Sequence, residues 1–269
     1  MTTSFDTVSL FDSPGHRYTL LGWEEHENEG VVQTNQYLVV HGEEVALLDP
    51  GGAHVFPRVL ANVAELTNIN SVKHIFYSHQ DPDVSSGITL WLAIAEQTRV
   101  YISGLWTRFL PHFGVYDQRR ITAIPDHGGV IAFSDGYKME ALPAHFLHST
   151  GQFSLYDPAS KVLFTGDIGA AIFPKGQRYP KVTDFNAHLR LMEGFHQRYM
   201  GSNLACRKWV ETVSSRDIRA IAPQHGAIIE GENVGKFFDW LSRLKCGIDL
   251  LDSFYGVRSG SPSSLLARK

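Results

Sequence analysis

The stretch VKHIFYSHQDPD (residues 72–83) decides the fold and points to a metal site. Its first six residues have the pattern of a buried strand, and α/β folds usually place reactive groups where such strands end. Alternate side chains of an extended backbone point the same way, so His79, Asp81 and Asp83 are expected to converge. Pro82 favours that extended shape through the φ restriction of its ring and its effect on the preceding residue. The stretch predicts a transition-metal site; the alternative is a polar loop that caps the following helix.

Three further potential ligands lie at strand ends later in the chain. His148 lies between two strand patterns, Asp167 follows the apolar run VLFTG, and His225 follows the run IAPQ. Each alone has an ordinary explanation as a turn or loop residue, but their shared position at strand ends is hard to attribute to chance. The sequence therefore predicts one metal centre built from six residues: His79, Asp81, Asp83, His148, Asp167 and His225.

The remaining pattern predicts a single α/β domain. Short apolar or β-branched runs predict strands at 18–23, 36–40, 45–48, 72–77, 137–142, 152–155, 162–164 and 218–222. Apolar residues at helical spacing predict helices at 55–66, 86–97, 184–200, 204–213 and 232–251. Between residue 97 and about Ala123, the pattern predicts a strand, a helix and a second strand. Because strands followed by a helix occur twice, with helices outside, two sheets are expected to pack face to face in a four-layer αββα sandwich over residues 1–255. Residues 256–269 are expected to form a flexible tail.

Composition excludes several classes of protein. With 43% hydrophobic and 19% charged residues among 269, the chain can form a substantial core. The formal net charge of -4 provides no broad basic face for nucleic acid. No apolar run reaches the roughly 18–20 residues of a membrane span, and the first residues do not resemble a signal peptide. Two cysteines, Cys206 and Cys246, both in predicted helical segments, argue against a disulfide framework or a thiolate site. A cytoplasmic location is expected.

The order of the six residues resembles that of the metallo-β-lactamase superfamily, which carries H-x-H-x-D-H followed by His, Asp and His. The resemblance extends over about residues 33–230 and includes TNQYL at 34–38. Asp81 replaces the second histidine of the hydrolases, and Val84 replaces their last one. The resulting H-x-[DE]-x-D pattern is similar to that of the flavodiiron proteins and of their shorter relatives, the oxygen-binding diiron proteins.

The resemblance implies two iron ions joined by a bridging oxo or hydroxo group. His79, Asp81 and His148 would hold one iron, Asp83 and His225 the other, and Asp167 would bridge them. Three carboxylates with neutral imidazoles suit iron that cycles between its ferrous and ferric states, whereas zinc hydrolases are richer in histidine nitrogen. Zinc remains the alternative metal.

Val84 stands where relatives have a nitrogen ligand. Its aliphatic side chain cannot coordinate a metal. Either the second iron has an open position for a diatomic ligand, or a ligand has been lost through degeneration.

The function implied by the resemblance is that of a non-haem diiron protein that binds O2. It would sense O2, or reduce O2, NO or peroxide as an oxidoreductase. The flavodoxin domain of the flavodiiron proteins does not follow the metal domain here, so no flavin is expected, and an external electron-transfer or signalling protein is the expected partner. The alternative is a zinc hydrolase that attacks a thioester, lactone or phosphoester with a metal-bound hydroxide. A homo-oligomer is expected by analogy with the relatives.

Residues around the metals are predicted from the helical pattern at 184–200. Three residues are candidates to form a hydrogen bond with dioxygen or to orient a metal ligand: His188, His196 and Tyr199, of which His196 and Tyr199 are preferred. The alternative is that this face of the helix, with Phe195, only packs in the core. Three aromatic residues are expected either to line a pocket or, more ordinarily, to lie in the core: Trp91, Trp106 and Phe109. Three histidines are interpreted as structural or surface residues: His26, His127 and His145.

Overall fold

A computed structural model describes residues 4–24 and 33–256, and its larger sheet has seven strands. Their spatial order is β2-β3-β5-β6-β7-β8-β9. Pairing is antiparallel from β2 to β6 and parallel from β6 to β9. The strands are β2 (Val8–Ser13), β3 (His16–Leu20), β5 (Tyr37–His41), β6 (Glu44–Leu48), β7 (Val72–Phe76), β8 (Arg99–Ser103) and β9 (Ile121–Ile124). The short strands β1 (Ser4–Phe5) and β4 (Trp23–Glu24) pair separately.

The second sheet has six strands in sequential order. Its neighbours are antiparallel except for β13 and β14, which run parallel. The strands are β10 (Gly129–Ala132), β11 (Lys138–Pro143), β12 (Phe153–Asp157), β13 (Val162–Gly166), β14 (Ala220–Pro223) and β15 (Ile229–Glu230).

Helices cover the outer faces of both sheets. The α-helices are α1 (Phe56–Leu66), α2 (Pro82–Ser85), α3 (Ile88–Ile94), α4 (Phe185–Tyr199), α5 (Asn203–Val213), α6 (Glu232–Arg243) and α7 (Leu251–Phe254). Short 3-10 helices occupy Ile69–Ser71, Thr107–Phe113 and Gly247–Leu250. Within 4–24 and 33–256, none of the helices has both the length and the apolar character needed to cross a membrane.

Alternation along β6 shows how the layers are built. Ala46 and Leu48 face the core between the two sheets, whereas Val45 and Leu47 face the core beneath α1 and α3. A strand buried on both faces is expected to be continuously apolar, which explains the run VALL. A third core lies between the six-stranded sheet and helices α4, α5 and α6. This layering confirms the predicted αββα sandwich.

Several element boundaries differ from the prediction. Strands β2 and β10 were not predicted, because their faces are only partly buried and their alternation is weak. The helix predicted at 232–251 ends at Arg243, since Leu244 is extended and Gly247 has a φ of 53°. Gly247 also lies so close to the backbone of Met200 and Gly201 that a side chain would collide there. The expected tail lies, apart from Gly256, outside the described residues.

The helix boundary changes the interpretation of the cysteines. Cys206 lies in α5 as predicted, but Cys246 lies in the extended turn before a 3-10 helix, so its predicted helical position is wrong. Both thiols are free and buried, with their Sγ atoms 3.7 Å apart.

A buried polar network joins the two sheets at the end of β12. Asp157 accepts hydrogen bonds from His16 Nε2 at 2.8 Å and from the hydroxyls of Tyr137 and Ser160. The Nδ1 atoms of His16 and His41 lie 2.9 Å apart. Asp157 is fully buried, and although burial raises the pKa of its carboxyl, these partners outweigh burial and hold it below its usual range.

Candidate metal centre

The six predicted ligands come from loops at one end of the sandwich. His79 follows β7, His148 lies in the loop before β12, and Asp167 and His225 follow the parallel neighbours β13 and β14. Because the carboxyl ends of parallel strands share one edge of a sheet, their following residues lie close together. The strand order therefore brings residues nearly 150 positions apart in sequence to one place.

The loop that carries the aspartates is only partly extended. Asp81 has a φ of -61° and a ψ of 149°, and it immediately precedes helix α2. Pro82 takes the first helical position, where its missing N–H costs nothing, and Asp83 lies in the first turn. The expected extended alternation is thus wrong for Asp83, which reaches the centre from a helical turn.

Three of the side chains form a first group around Asp81. The Nε2 atom of His148 lies 3.4 Å from Asp81 Oδ2, and that of His79 lies 3.8 Å from the same oxygen. The potential ligand atoms of this group all lie within 4.8 Å of one another. Their mutual spacing is compatible with one metal ion.

Asp167 joins this group to a second one. Its Oδ2 is 2.9 Å from His148 Nε2, and its Oδ1 is 3.6 Å from His225 Nε2. His225 Nε2 is in turn 3.3 Å from Asp83 Oδ2. Asp167 is buried, and its Oδ1 has no hydrogen-bond partner within 4–24 and 33–256. The arrangement is two groups of donors with one carboxylate between them.

Burial and mutual pairing shift the pKa values of the candidate ligands. Burial raises the pKa of Asp167, but the neighbouring His79, His225 and His148 outweigh it and hold the pKa well below the usual range. Burial lowers the pKa of His79. For His225, burial is outweighed by Asp167 and Asp83, and its pKa rises to about 9. Without metal, cationic His225 neutralises part of the carboxylate charge.

Hydrogen bonds orient two of the imidazoles. His225 Nδ1 donates to the carbonyl oxygen of Gln33 at 2.7 Å, which directs Nε2 to the cluster. His79 Nδ1 lies 2.9 Å from Ser78 Oγ, which is 2.5 Å from Asp49 Oδ2. When Asp49 is ionised, the serine proton goes to the carboxylate, and Nδ1 of His79 donates to the serine. Nε2 of His79 is then free for a metal.

Asp49 was not identified from the sequence. It is fully buried, and burial raises the pKa of its carboxyl to about 8 against the hydrogen bonds from Ser78. In the sequence, the run DPGG at 49–52 indicates only a turn. The available signal was the same as for Asp167, namely an aspartate directly after an apolar strand.

Of the residues predicted to lie around the metals, His196 contacts the loop of Asp167 and Tyr199 lies beside His148. His196 Nε2 accepts a hydrogen bond from the amide of Gly169 at 2.9 Å, and its Nδ1 donates to Met192 O. Burial lowers the pKa of His196 to about 4, so it is neutral. The ring of Tyr199, 55% exposed, is 5.8 Å from that of His148.

Several other residues singled out from the sequence have ordinary structural or surface positions. His188 is buried and bonds the hydroxyl of Tyr179 through Nδ1. Trp91 is a core residue, as its ordinary interpretation predicted. His127 is exposed, and His145 Nε2 bonds a backbone carbonyl. His26 lies outside the described residues.

Replacing His196 by leucine is expected to weaken metal binding through the Asp167 loop. The amide of Gly169, two residues beyond Asp167, would lose its acceptor, which costs about 1–3 kcal/mol of unfolding free energy. A displaced ligand loop typically lowers metal affinity about 10–100-fold. Urea unfolding of the metal-free protein and metal titration would measure both effects. The matched control is His188→Leu, which removes a buried imidazole that does not bond this loop; equal loss of metal affinity in both variants would contradict the positioning role.

The family to which the chain belongs follows from its sequence. The family described as ODP family beta lactamase matches residues 32–226. The chain belongs to this ODP family. This match confirms the resemblance drawn from the H-x-[DE]-x-D pattern.

Solved structures give the most extensive similarity. A peroxy diiron species of chemotaxis sensor ODP is 46% identical, with a TM-score of 0.83 and coverage of 93% of this chain and 100% of that chain. The apo state of chemotaxis sensor ODP from T. denticola is also 46% identical, with a TM-score of 0.81 and coverage of 93% and 99%. A flavo di-iron protein mutant from Thermotoga maritima shares the fold at 18% identity, with a TM-score of 0.75 and coverage of 90% and 61%.

Among curated relatives, diflavin flavoprotein A 1 from Synechocystis sp. (strain PCC 6803) is 26% identical over 210 residues. The match covers 75% of this chain but 35% of that protein. The chain thus spans about a third of the length of the curated relatives that it matches first.

Proposed function

We propose that the chain is a non-haem diiron protein that binds dioxygen. The observation that carries the proposal is the convergence of three imidazoles and three carboxylates into two groups that share Asp167. Hard oxygen donors combined with imidazole suit iron. The 46% identical chemotaxis sensor ODP, solved as a peroxy diiron species, supports the same assignment.

The donor set fits a pair of metal ions. The unpartnered Oδ1 of Asp167 is a buried acceptor between the two groups, and such an atom is costly unless it finds a partner. His79, Asp81 and His148 would hold one iron, and Asp83 and His225 the other, with Asp167 between them. A ferrous pair held by these residues would supply the electrons that dioxygen accepts on binding.

The protein orients two of the candidate ligands and leaves one side of the cluster open. Gln33 and Ser78 fix the rings of His225 and His79. Asp81 and Asp83 are 33% and 30% exposed, so the cluster is open on their side. Val84 is buried in the core beneath α2 and contributes no donor to the group of Asp83 and His225. We assign the open position for a diatomic ligand to this second group.

The role that we propose is oxygen sensing through a signalling partner. The six donors would hold the iron that binds dioxygen, and the similar ODP protein is described as a chemotaxis sensor. Reduction of O2, NO or peroxide would require electrons from an external donor protein. The homo-oligomer and the cytoplasmic location stay predictions.

Metal analysis of anaerobically purified protein tests the proposal. We expect about two irons per chain, as six donors in two groups imply. Adding oxygen to the reduced protein should change its near-ultraviolet absorption. A colourless, zinc-loaded protein that hydrolyses ester substrates would instead establish the hydrolase alternative, and a single tightly bound metal would identify Val84 as a lost ligand.

The substitution Asp81→His is expected to shift the metal preference towards zinc. It replaces a carboxylate shared by two histidines with a third imidazole, which resembles the ligand sets of zinc enzymes. Competition between Fe²⁺ and Zn²⁺ for the metal-free protein would measure a several-fold rise in the zinc-to-iron affinity ratio. Asp81→Asn is the control, since it removes the charge without adding a nitrogen ligand. An unchanged ratio in Asp81→His would contradict a ligand role for Asp81.

A further inference from the structure

An apolar cavity of about 300 Å³ lies beside the loop that carries the aspartates. Residues of α3, β8 and the 3-10 helix Thr107–Phe113 form most of its wall, and one side opens to solvent. Apolar side chains form nearly all of its surface: Ile88, Ile102, Trp106, Phe109, Leu110 and Phe113. Two of the aromatic residues noted in the sequence, Trp106 and Phe109, therefore line a pocket.

One wall of the cavity belongs to the ligand loop itself. Gln80, between His79 and Asp81 in sequence, lines the cavity. Its Nε2 donates to Asp81 Oδ1 at 3.1 Å, and its Oε1 accepts from Ser149 Oγ at 2.6 Å. The cavity and the metal ligands are therefore separated at this point by a single side chain.

Trp106 forms the adjoining wall. A Cβ atom at Gly151 would lie 2.9 Å from Trp106 Nε1, so the indole packs directly against the loop that follows His148. That Nε1 atom is buried and has no hydrogen-bond partner in the described part of the chain. The wall of the cavity thus contacts both loops that supply the first group of ligands, through Gln80 and Trp106.

The chemistry of the lining selects a small apolar occupant. Ser85 Oγ already donates to the carbonyl oxygens of Gln80 and Asp81, and Gln80 is engaged as described. His112 lines the cavity but is exposed, which places it at the mouth. Ions and water would find few partners inside, whereas apolar protein cavities bind gases such as xenon.

We propose that this cavity binds dioxygen and passes it, at Gln80, to the centre that both groups of ligands form around Asp167. The inference rests on the proposed function, because it assumes that dioxygen is the ligand. The competing route is direct entry from solvent on the side of Asp81 and Asp83. The two routes differ in whether the size of the cavity controls the rate of binding.

Xenon binding tests the cavity without any metal. Crystals of the metal-free protein under xenon pressure are expected to show xenon between Ile102 and Phe113. In Ile102→Phe, where the added ring fills the space, the xenon site should be lost. Wild-type crystals with no xenon in this cavity would overturn the inference.

Binding kinetics of the iron-loaded protein test the route. Ile102→Phe is expected to lower the association and dissociation rates of dioxygen by the same several-fold factor, because a route alters both rates and leaves Kd unchanged. Phe109→Ala, which widens the mouth, should raise both rates. This second variant keeps the test valid if Ile102→Phe fails to fold.

A matched control exists for the mouth variant. Phe254 is 39% exposed and Phe109 38%, and an arginine guanidinium lies over each ring, at 4.7 Å and 4.9 Å. Phe254→Ala should leave both rates unchanged. If wild-type protein binds dioxygen but Phe109→Ala and Ile102→Phe keep its rates, the cavity inference is wrong. If wild-type protein does not bind dioxygen at all, the proposed function fails instead.

Discussion

The variant Asp167→Asn is expected to lose both metal ions, because one carboxylate lies between both groups of donors. Its two oxygens approach His148 and His225, so each metal position would lose a charged ligand. Supporting residues alone change metal affinity about 10–100-fold, and a shared ligand should cost at least that at each position. Iron content per chain after anaerobic reconstitution measures the effect.

The control for this prediction is Asp83→Asn, which alters only the group with His225. It should reduce the iron content by about one ion and leave the position of His79, Asp81 and His148 occupied. Full metal content in Asp167→Asn would disprove the bridging assignment. Loss of both ions in Asp83→Asn would show that the two positions fill cooperatively and not separately.

The second large effect is expected at the opposite end of the sandwich, where Asp157→Ala should destabilise the protein by about 3–5 kcal/mol. The substitution leaves His16, itself buried, without the carboxylate to which its Nε2 donates. It also removes the acceptor of the Tyr137 and Ser160 hydroxyls. Urea unfolding of the metal-free protein would measure the change.

The pH dependence of this effect has a defined sign. The folded-state pKa of Asp157 is depressed, so its contribution to stability is present above the unfolded pKa of about 3.9 and is lost as the pH falls through the lower folded value. The difference between wild-type and variant protein should therefore shrink in acid. Asp135→Ala is the control: that carboxylate bonds His41 but is 58% exposed, so its removal should change the stability much less. Equal losses in both variants would contradict the argument from burial.

The fold was predictable because its strands are buried on two faces. Runs such as VALL and VKHIFY carry a strong signal, and their order with the helices defined the layers. Strands β2 and β10 carry a weak signal because much of each is exposed. The end of helix α6 at Arg243 depends on the close approach of Gly247 to the backbone of Met200 and Gly201. A local sequence pattern does not contain this contact, because the residues are distant in the chain.

The candidate ligands were predictable because each follows or precedes a strand on the same edge. The hydrogen bonds that support these ligands were harder to predict from the sequence. The bond between Gln80 and Ser149 joins residues 69 positions apart, and that between His196 and Gly169 joins residues 27 apart. Such contacts depend on how loops meet after folding. Asp83 was predicted as a candidate ligand from an extended backbone, although it lies in a helical turn.

The contact between His16 and His41 links a buried carboxylate to an exposed one. Nε2 of His16 faces Asp157, Nε2 of His41 faces Asp135, and the two Nδ1 atoms lie 2.9 Å apart. Because Asp157 is fully buried and Asp135 is 58% exposed, the four side chains form a continuous line of polar contacts from the interior of the protein to its surface.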